Sequence, residues 1–366
     1  MAKRIPIRRI GVLTSGGDCP GLNAVIRAVT KSAIMEHGLR VVGIEDGFLG
    51  LIEDRFRTLG EMETSNILTV GGTILGTNNK CDPGRYPVRK GGKVHYEDRT
   101  DRCVARLRRR RIDALVVIGG DGSMAVASRF VRKGVNCVGV PKTIDNDIPG
   151  TDVTFGFSSA TAVATDAIDR VHTTAASHHR AMAVEVMGRN AGWIALYAGV
   201  AGGADVILLP EMPFDMDKVC RKVVWRSHHG KRFTILCVAE GARAVGGEQV
   251  VDRYDPASPE PVRLGGIGRH VSREIEARTG VETRCTVLGH VQRGGAPVHE
   301  DRVLGTLFGH AAVTALMAGK RNRLVVMKGR RVTDVALDHG EGRQRLVPRN
   351  HPLIQAARAV GTSFGD

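Results

Sequence analysis

The sequence predicts an α/β protein built on mostly parallel sheets, and three observations carry that expectation. Short apolar runs recur along the chain, each ends in a turn often rich in glycine, and an amphipathic stretch follows most of them. Strands covered by helices on both faces read as solid apolar runs, whereas a strand with one wet face alternates. Glycine is also in excess, 46 of 366 residues, against a usual share of about 7%. With no repeat to explain it, that excess points to tight turns and to backbone closely approaching a ligand.

The elements follow in order. Arg9–Thr14 reads as a strand that ends in Ser15-Gly16-Gly17-Asp18, with a helix from about Leu22 to His37. Residues 39–44 form a second strand. Residues 114–118 are continuously apolar and run into Gly119-Gly120-Asp121-Gly122-Ser123, followed by a helix through Lys133. Residues 136–140 are the next strand, ended by Pro141-Lys142-Thr143. Ala181–Val186 leads into Met187-Gly188-Arg189, and residues 206–209 and Thr234–Ala239 follow in the same style. Ligands of such folds sit beyond the carboxyl ends of the strands, where all these glycine-rich motifs fall. Residues 78–100 and 241–266 read as surface insertions rich in turn-formers. The tail, 347–366, reads as a helix over 351–360 and then a frayed end.

Composition narrows the function. With 42% hydrophobic and 25% charged residues the chain can bury a core, which excludes wholesale disorder, and its length suits two or three domains. The most apolar long stretch, 193–210, is glycine-rich and carries Asp205, so no membrane span is expected. The amino-terminal residues lack a signal-type apolar block, so the expected compartment is the cytoplasm. A net charge of +15 attracts anions; with only 4% aromatics, phosphorylated small molecules are favoured over stacked bases. Seven cysteines with no Cys-x-x-Cys spacing read as buried thiols. The pairs His178-His179 and His228-His229 lack further ligands, so zinc is not expected. The basic run Arg106-Leu107-Arg108-Arg109-Arg110-Arg111 reads as a solvated helix face.

Three motifs carry chemistry. Ser15–Gly21 follows a strand and opens a helix, so its N–H groups can cradle phosphate; read alone it is equally a plain tight turn. In Gly119–Ser123 the glycines let the backbone fold over a phosphate, and Asp121 can hold Mg²⁺ against it. A helix N-cap explains the aspartate or the serine but not the flanking glycines. In Thr143-Ile144-Asp145-Asn146-Asp147 two carboxylates stand two residues apart after a buried strand. One can serve as general base and the other as metal or hydroxyl partner, as phosphoryl transfer requires. Arg180, Arg189, Arg284, His290 and Arg293 lie near strand ends, and arginine binds phosphate bidentately.

Together these blocks, with GGTILGT, SSATAVATDAIDR, AGGADVILLPE and TRCTVLGHVQRGG, resemble the 6-phosphofructokinase family from Arg9 to about Ala318. The resemblance implies two Rossmann-like three-layer domains with the active site in the cleft between them. Residues 8–157 with about 292–342 would form the phosphoryl-donor domain, and 158–291 with about 343–366 the fructose 6-phosphate domain. The implied reaction is glycolytic: phosphorylation of the C1 hydroxyl of fructose 6-phosphate. By resemblance Asp145 is the catalytic base, with Asp147 and Thr143 as its companions, and Arg189 stabilises the transition state. Met187, Gly188 and Glu240 line the sugar site, and Arg284, His290 and Arg293 grip the 6-phosphate. Gly16, Gly17, Gly120, Gly122 and Ser123 cover the donor phosphates, and Asp121 holds Mg²⁺. Lys80 stands near where many relatives carry an arginine. Residues resembling Arg180 and Arg284 reach into a neighbouring subunit's site, which implies a homodimer or homotetramer.

The donor is read from two positions. Gly122 leaves space for the α-phosphate of ATP, where pyrophosphate enzymes of the family commonly have aspartate. Lys142 is typical of those pyrophosphate enzymes. ATP is expected, because an open pocket is necessary for the nucleotide while a lysine does not exclude it. A different kinase with a Gly-Gly-Asp-Gly turn would lack the Thr143–Asp147 and His290–Arg293 blocks. A basic nucleic-acid-binding protein on a degenerate scaffold would not retain Asp121, Asp145 and Asp147 together.

Overall fold

The computed structural model describes residues 7–255, 261–340 and 342–366. Residues 1–6, read above for a signal segment, and residues 256–260 of the second insertion lie outside them. The chain divides into two units. The first holds the described chain up to Ile144, with Ile148–Gly156 and Arg293–Gln344; the second holds Asp145–Asp147, Phe157–Gln292 and Arg345–Asp366.

In the first unit, strands lie side by side in the order Arg331–Ala336, Arg323–Lys328, Asn136–Thr143, Ala114–Gly119, Arg9–Thr14, Arg40–Ile44 and Phe56–Leu59. The five inner strands are parallel and the two outer ones antiparallel. Arg9–Thr14 pairs with its sequence neighbour on one side and with Ala114–Gly119 on the other. The strand order reverses there, which makes the gap beyond those two strands the sheet's switch point. Ala114–Gly119 is buried throughout and Arg9–Thr14 from Ile10 onward, as their solid apolar sequences require. The helix Leu22–His37 is bounded by glycines in left-handed backbone, Gly21 at φ 105° and Gly38 at φ 60°. It packs on His299–Met317, closely enough that a Cβ on Gly309 would stand 2.6 Å from that of Ala28. Leu13, Ile44, Phe48, Leu115, Val117 and Phe130 join one apolar cluster.

In the second unit four parallel strands run in the order Val206–Leu208, Thr234–Ala239, Ala181–Val186 and Thr283–Val287. Helices include Phe157–His178, Trp193–Ala201, Met216–His228 and Ile267–Thr279. The core gathers Leu208, Phe214, Val219, Leu236, Val238, Val271 and Ile275.

Four expectations need correction. The strand expected over 136–140 runs on to Thr143, because Pro141 sits opposite Gly119 at the end of the ladder and Phe155–Gly156 pairs with Lys142 and Thr143. The two insertions hold hairpins, Tyr86–Lys90 with Lys93–Glu97 and Val251–Tyr254 with Val262–Leu264. Arg106 is not on a solvated face: it is buried and donates to the carbonyls of Leu51 (2.8 Å) and Ile52, while Arg109 and Arg110 pair with Asp54. The tail does not fray: after the helix Pro352–Ala359, Ser363 bridges to Val206 and Phe364 is fully buried.

Candidate active site

At the switch point of the first unit the two glycine turns are tied together. The Ser15 N–H donates to the carbonyl of Ile118 at 2.9 Å. Gly16 adopts φ 84°, open to glycine but strained for other residues. Its N–H donates to the carbonyl of Asn78, and Thr77 Oγ1 donates to the Gly16 carbonyl at 2.7 Å. The segment carrying Lys80 therefore lies beside this turn, with the Lys80 N–H donating to Asn78 Oδ1. Two cations support the turn. Lys142, 4% exposed, donates from Nζ to the Gly17 carbonyl. Arg293 donates from Nη1 to the Asp18 carbonyl at 2.9 Å, and a side chain on Gly17 would collide with its guanidinium. Arg293 thus lies against the donor-side turn, a partner that its place in the His290–Arg293 block did not signal.

The second turn opens the helix Asp121–Arg132. Gly120 is its extended N-cap and Asp121 stands in its first turn. A Cβ at Gly122 would meet nothing within 4 Å. The helix N-terminus offers N–H groups and a favourable dipole to a phosphate. A single carboxylate beside a phosphate site suits Mg²⁺, which takes most ligands from water and phosphate. Among the described residues there is no cluster of three His, Cys, Asp or Glu that could hold a metal without such help.

The second unit presents its own cluster at the carboxyl ends of its strands. Val186 and Ala239 are register partners, and beyond them Glu240 N–H donates to the Val186 carbonyl and Gly241 N–H to that of Gly188. The pair brings Met187-Gly188-Arg189 beside Glu240. A Cβ on Gly241 would run into the Arg189 carbonyl, so only glycine fits. Arg189 Nη1 donates to the Val262 carbonyl at 2.9 Å, and Gln249 Nε2 donates to the carbonyls of Arg189 and Gly241. The third strand end, after Thr283–Val287, leads to His290 and to the fully buried Gln292, whose Oε1 accepts from the Met187 N–H at 3.4 Å. Below the rim, the buried Glu185 carboxylate accepts from the N–H groups of Gly266 and Gly268, holding the start of the helix Ile267–Thr279.

Asp145 and Asp147 flank Asn146, which is 3% exposed and holds a left-handed φ of 52°. Asparagine tolerates that region better than most residues. The turn is held from the tail: Arg345 donates its N–H to the Asp147 carbonyl at 2.7 Å and Nη1 to the Asn146 carbonyl at 2.8 Å.

Arg180 and Arg284 are placed elsewhere. Arg180 precedes Ala181–Val186, and Arg284 pairs in register with Met182. Both stand towards the amino ends of two adjacent parallel strands, and the carboxyl end of Ala181–Val186 carries Met187–Arg189. Six residues at about 3.3 Å each separate the two ends by about 20 Å. There Arg180 Nε is 2.7 Å from Glu282, and Arg284 pairs with Glu282 and Glu276. Sequence reasoning did not single out Glu185, Gln249, Gln292 or Arg345. Gln292 and Glu185 stood inside recognisable blocks, and Glu185 is the one carboxylate of an apolar strand; Gln249 and Arg345 have no local signal.

Glycine turns at the switch point of a parallel sheet, one of them carrying a metal-binding type of aspartate, define a phosphate-handling α/β protein. Residues 9–316 match the family described as phosphofructokinase, and the chain belongs to that family. It is 50% identical over 363 residues to the "ATP-dependent 6-phosphofructokinase 2" of Clostridium perfringens, covering 99% of each chain. It is 48% identical over 360 residues to the "ATP-dependent 6-phosphofructokinase" of Chloroflexus aurantiacus, covering 98% of each. Among solved structures it is similar to the Pichia pastoris phosphofructokinase, at TM-score 0.76 and 33% identity over 91% of this chain, which spans 35% of that longer one. The pyrophosphate-dependent enzyme from Nitrosospira multiformis shares the fold, at TM-score 0.80 and 20% identity, with 94% of this chain and 87% of that one covered.

Proposed function

We propose that the protein transfers the γ-phosphoryl group of ATP to the C1 hydroxyl of fructose 6-phosphate, yielding fructose 1,6-bisphosphate and ADP, as a cytoplasmic step of glycolysis. The first unit is the donor side and the second the acceptor side. The observation that carries ATP as donor is the open space at Gly122 beside Asp121. A carboxylate there would crowd the α-phosphate. Both curated relatives described above carry ATP in their names.

The residues then divide the work. N–H groups of Gly16, Gly17, Gly120, Gly122 and Ser123 receive the donor phosphates, with Lys80 adding charge. Lys142 and Arg293 hold the turn in the shape that receives them. Asp121 would hold Mg²⁺, which supplies neutralising charge to the phosphates. Asp145 takes the proton of the C1 hydroxyl as that oxygen bonds to the γ-phosphorus and the bond to the β–γ bridging oxygen breaks. Thr143 and Asp147 orient the reacting groups, and Arg189 balances the charge that develops. Met187, Gly188 and Glu240 seat the sugar, and His290 contacts its phosphate. Arg180 and Arg284 serve the 6-phosphate of a neighbouring subunit in a homodimer or homotetramer. Their place some 20 Å along the strands from Met187–Arg189 supports that reading. No helix among the described residues is long and apolar enough to cross a membrane.

The test is initial rates with Mg²⁺ and fructose 6-phosphate, comparing ATP with pyrophosphate. Turnover with ATP alone is expected. Turnover with pyrophosphate would mean that Lys142 outweighs the open pocket and that the step runs in both directions.

A further inference from the structure

The segment after Gln344 belongs to none of the motifs that point to the function, yet it touches the turn that carries both carboxylates. Arg345 lies 199 positions from Asn146 in sequence and reaches it with Nη1 at 2.8 Å. Its own N–H donates to the Asp147 carbonyl at 2.7 Å. The guanidinium is fixed from behind: it lies 4.2 Å from the centroid of the Trp193 ring, and Trp193 Nε1 donates to the Arg345 carbonyl at 2.8 Å. Trp193 opens the helix Trp193–Ala201 four residues beyond Arg189, and it is buried, with His351 edge-on to its ring. All these residues belong to the second unit.

The turn needs such a hold. Asn146 keeps a left-handed backbone, which costs energy for a residue other than glycine and persists only where the surroundings determine it. A relaxed Asn146 would rotate Asp145 and Asp147 relative to each other. A charged donor on the Asn146 carbonyl opposes that rotation. Resting on the reading of Asp145 as the base, we infer that the Arg345 side chain is a positioning residue for it: stacked on Trp193 and bonded to the Asn146 carbonyl, it holds the turn in the geometry from which the carboxylate meets the sugar hydroxyl.

Arg345→Met tests this, because it keeps an apolar stem over Trp193 and the backbone bond to Asp147 while removing the guanidinium. The expected result is a fall in kcat of about 10- to 100-fold, the scale of a misplaced reacting group. The KM values for ATP and fructose 6-phosphate stay within about twofold, because the lost interaction acts on the chemical step. Arg345→Lys recovers part of the rate, since an ammonium donates to the carbonyl without the planar stack. In an Asp145→Asn background Arg345→Met costs nothing further. If Arg345→Met does not fold, Arg345→Lys and Trp193→Phe carry the same expectation at smaller size. An unchanged kcat, a rise in KM alone, or an equal loss in the Asp145→Asn background overturns the inference while the reading of the site stands. Wild-type protein inactive with both ATP and pyrophosphate overturns that reading, and the inference with it.

Discussion

Lys142 Nζ donates to the backbone carbonyl of Gly17, across 125 positions of sequence. Read from the sequence alone, this lysine argued for pyrophosphate, as a cation available to a small, highly charged donor. In the fold it braces the Gly16–Gly17 turn that we propose receives a donor phosphate. The same strand that delivers it, Asn136–Thr143, is longer than its apolar run suggested.

Donor choice then falls to Gly122. It lies inside the helix Asp121–Arg132 with open space where a Cβ would be, so Gly122→Asp folds normally. The new carboxylate faces the donor, and KM for ATP rises by about tenfold or more, as expected for one unfavourable charge placed near a phosphate. Steady-state rates with each donor, beside a thermal scan of both proteins, check this. An unchanged KM for ATP would remove Gly122 from the donor site.

Shared sites can be tested by complementation. Arg284→Ala and Asp145→Asn homomers are each impaired, the first mainly in KM for fructose 6-phosphate and the second mainly in kcat. Dissociated, mixed and reassembled, they recover activity, because a mixed dimer holds one site with both native residues, or about a quarter of all sites. A mixture no more active than its components would place Arg284 outside a shared site.

The buried Arg106 gives a stability prediction independent of chemistry. Arg106→Ala strands the carbonyls of Leu51 and Ile52, and lost hydrogen bonds to a charged group cost about 2–3 kcal/mol. Denaturant unfolding should register that loss, while turnover at 25 °C changes little. Equal stability would mean that water replaces the guanidinium.

The thiols give a pH prediction. Burial pushes Cys19, Cys81, Cys103, Cys137 and Cys237 up to about 12 and Cys285 to about 11, and raises Cys220. The thiolate is the reactive form, so alkylation of native protein at pH 8 is slow at all seven. It accelerates only as pH climbs towards those values or as the protein unfolds. Mass spectrometry after brief iodoacetamide treatment reads the sites, and a rapidly labelled cysteine in folded protein would contradict the burial.

The parallel strands of the interior were legible because both faces are covered and the runs are therefore almost wholly apolar. Arg9–Thr14, Ala181–Val186 and Thr234–Ala239 fall where the sequence puts them. The edge strands Phe56–Leu59 and Arg331–Ala336 escaped notice. Both are short and mix polar with apolar residues, Arg57 and Thr58 in the first and Arg331, Thr333 and Asp334 in the second, as edge strands do, and such a mixture reads like loop. The glycine and carboxylate motifs of the site were visible because each is local. Its supports were not: Gln249 reaches Arg189, Lys142 reaches Gly17 and Arg345 reaches Asn146 only after the chain has folded. Arg106 misled because a charged run gives no sign that one member points inward.

The parallel run of the first unit's inner strands also separates the molecule's tasks by rim. Both glycine turns leave the carboxyl ends of adjacent strands, while the amino ends of those strands carry Arg9 and Ala114, with Asp113 accepting from the N–H groups of Arg8 and Arg9. Five or six strand residues, roughly 17–20 Å, lie between. A dye or surface anchor attached near Arg111 would sit on the far rim from the glycine turns. That makes the amino rim the place from which to immobilise or label the protein while leaving the proposed donor turns clear.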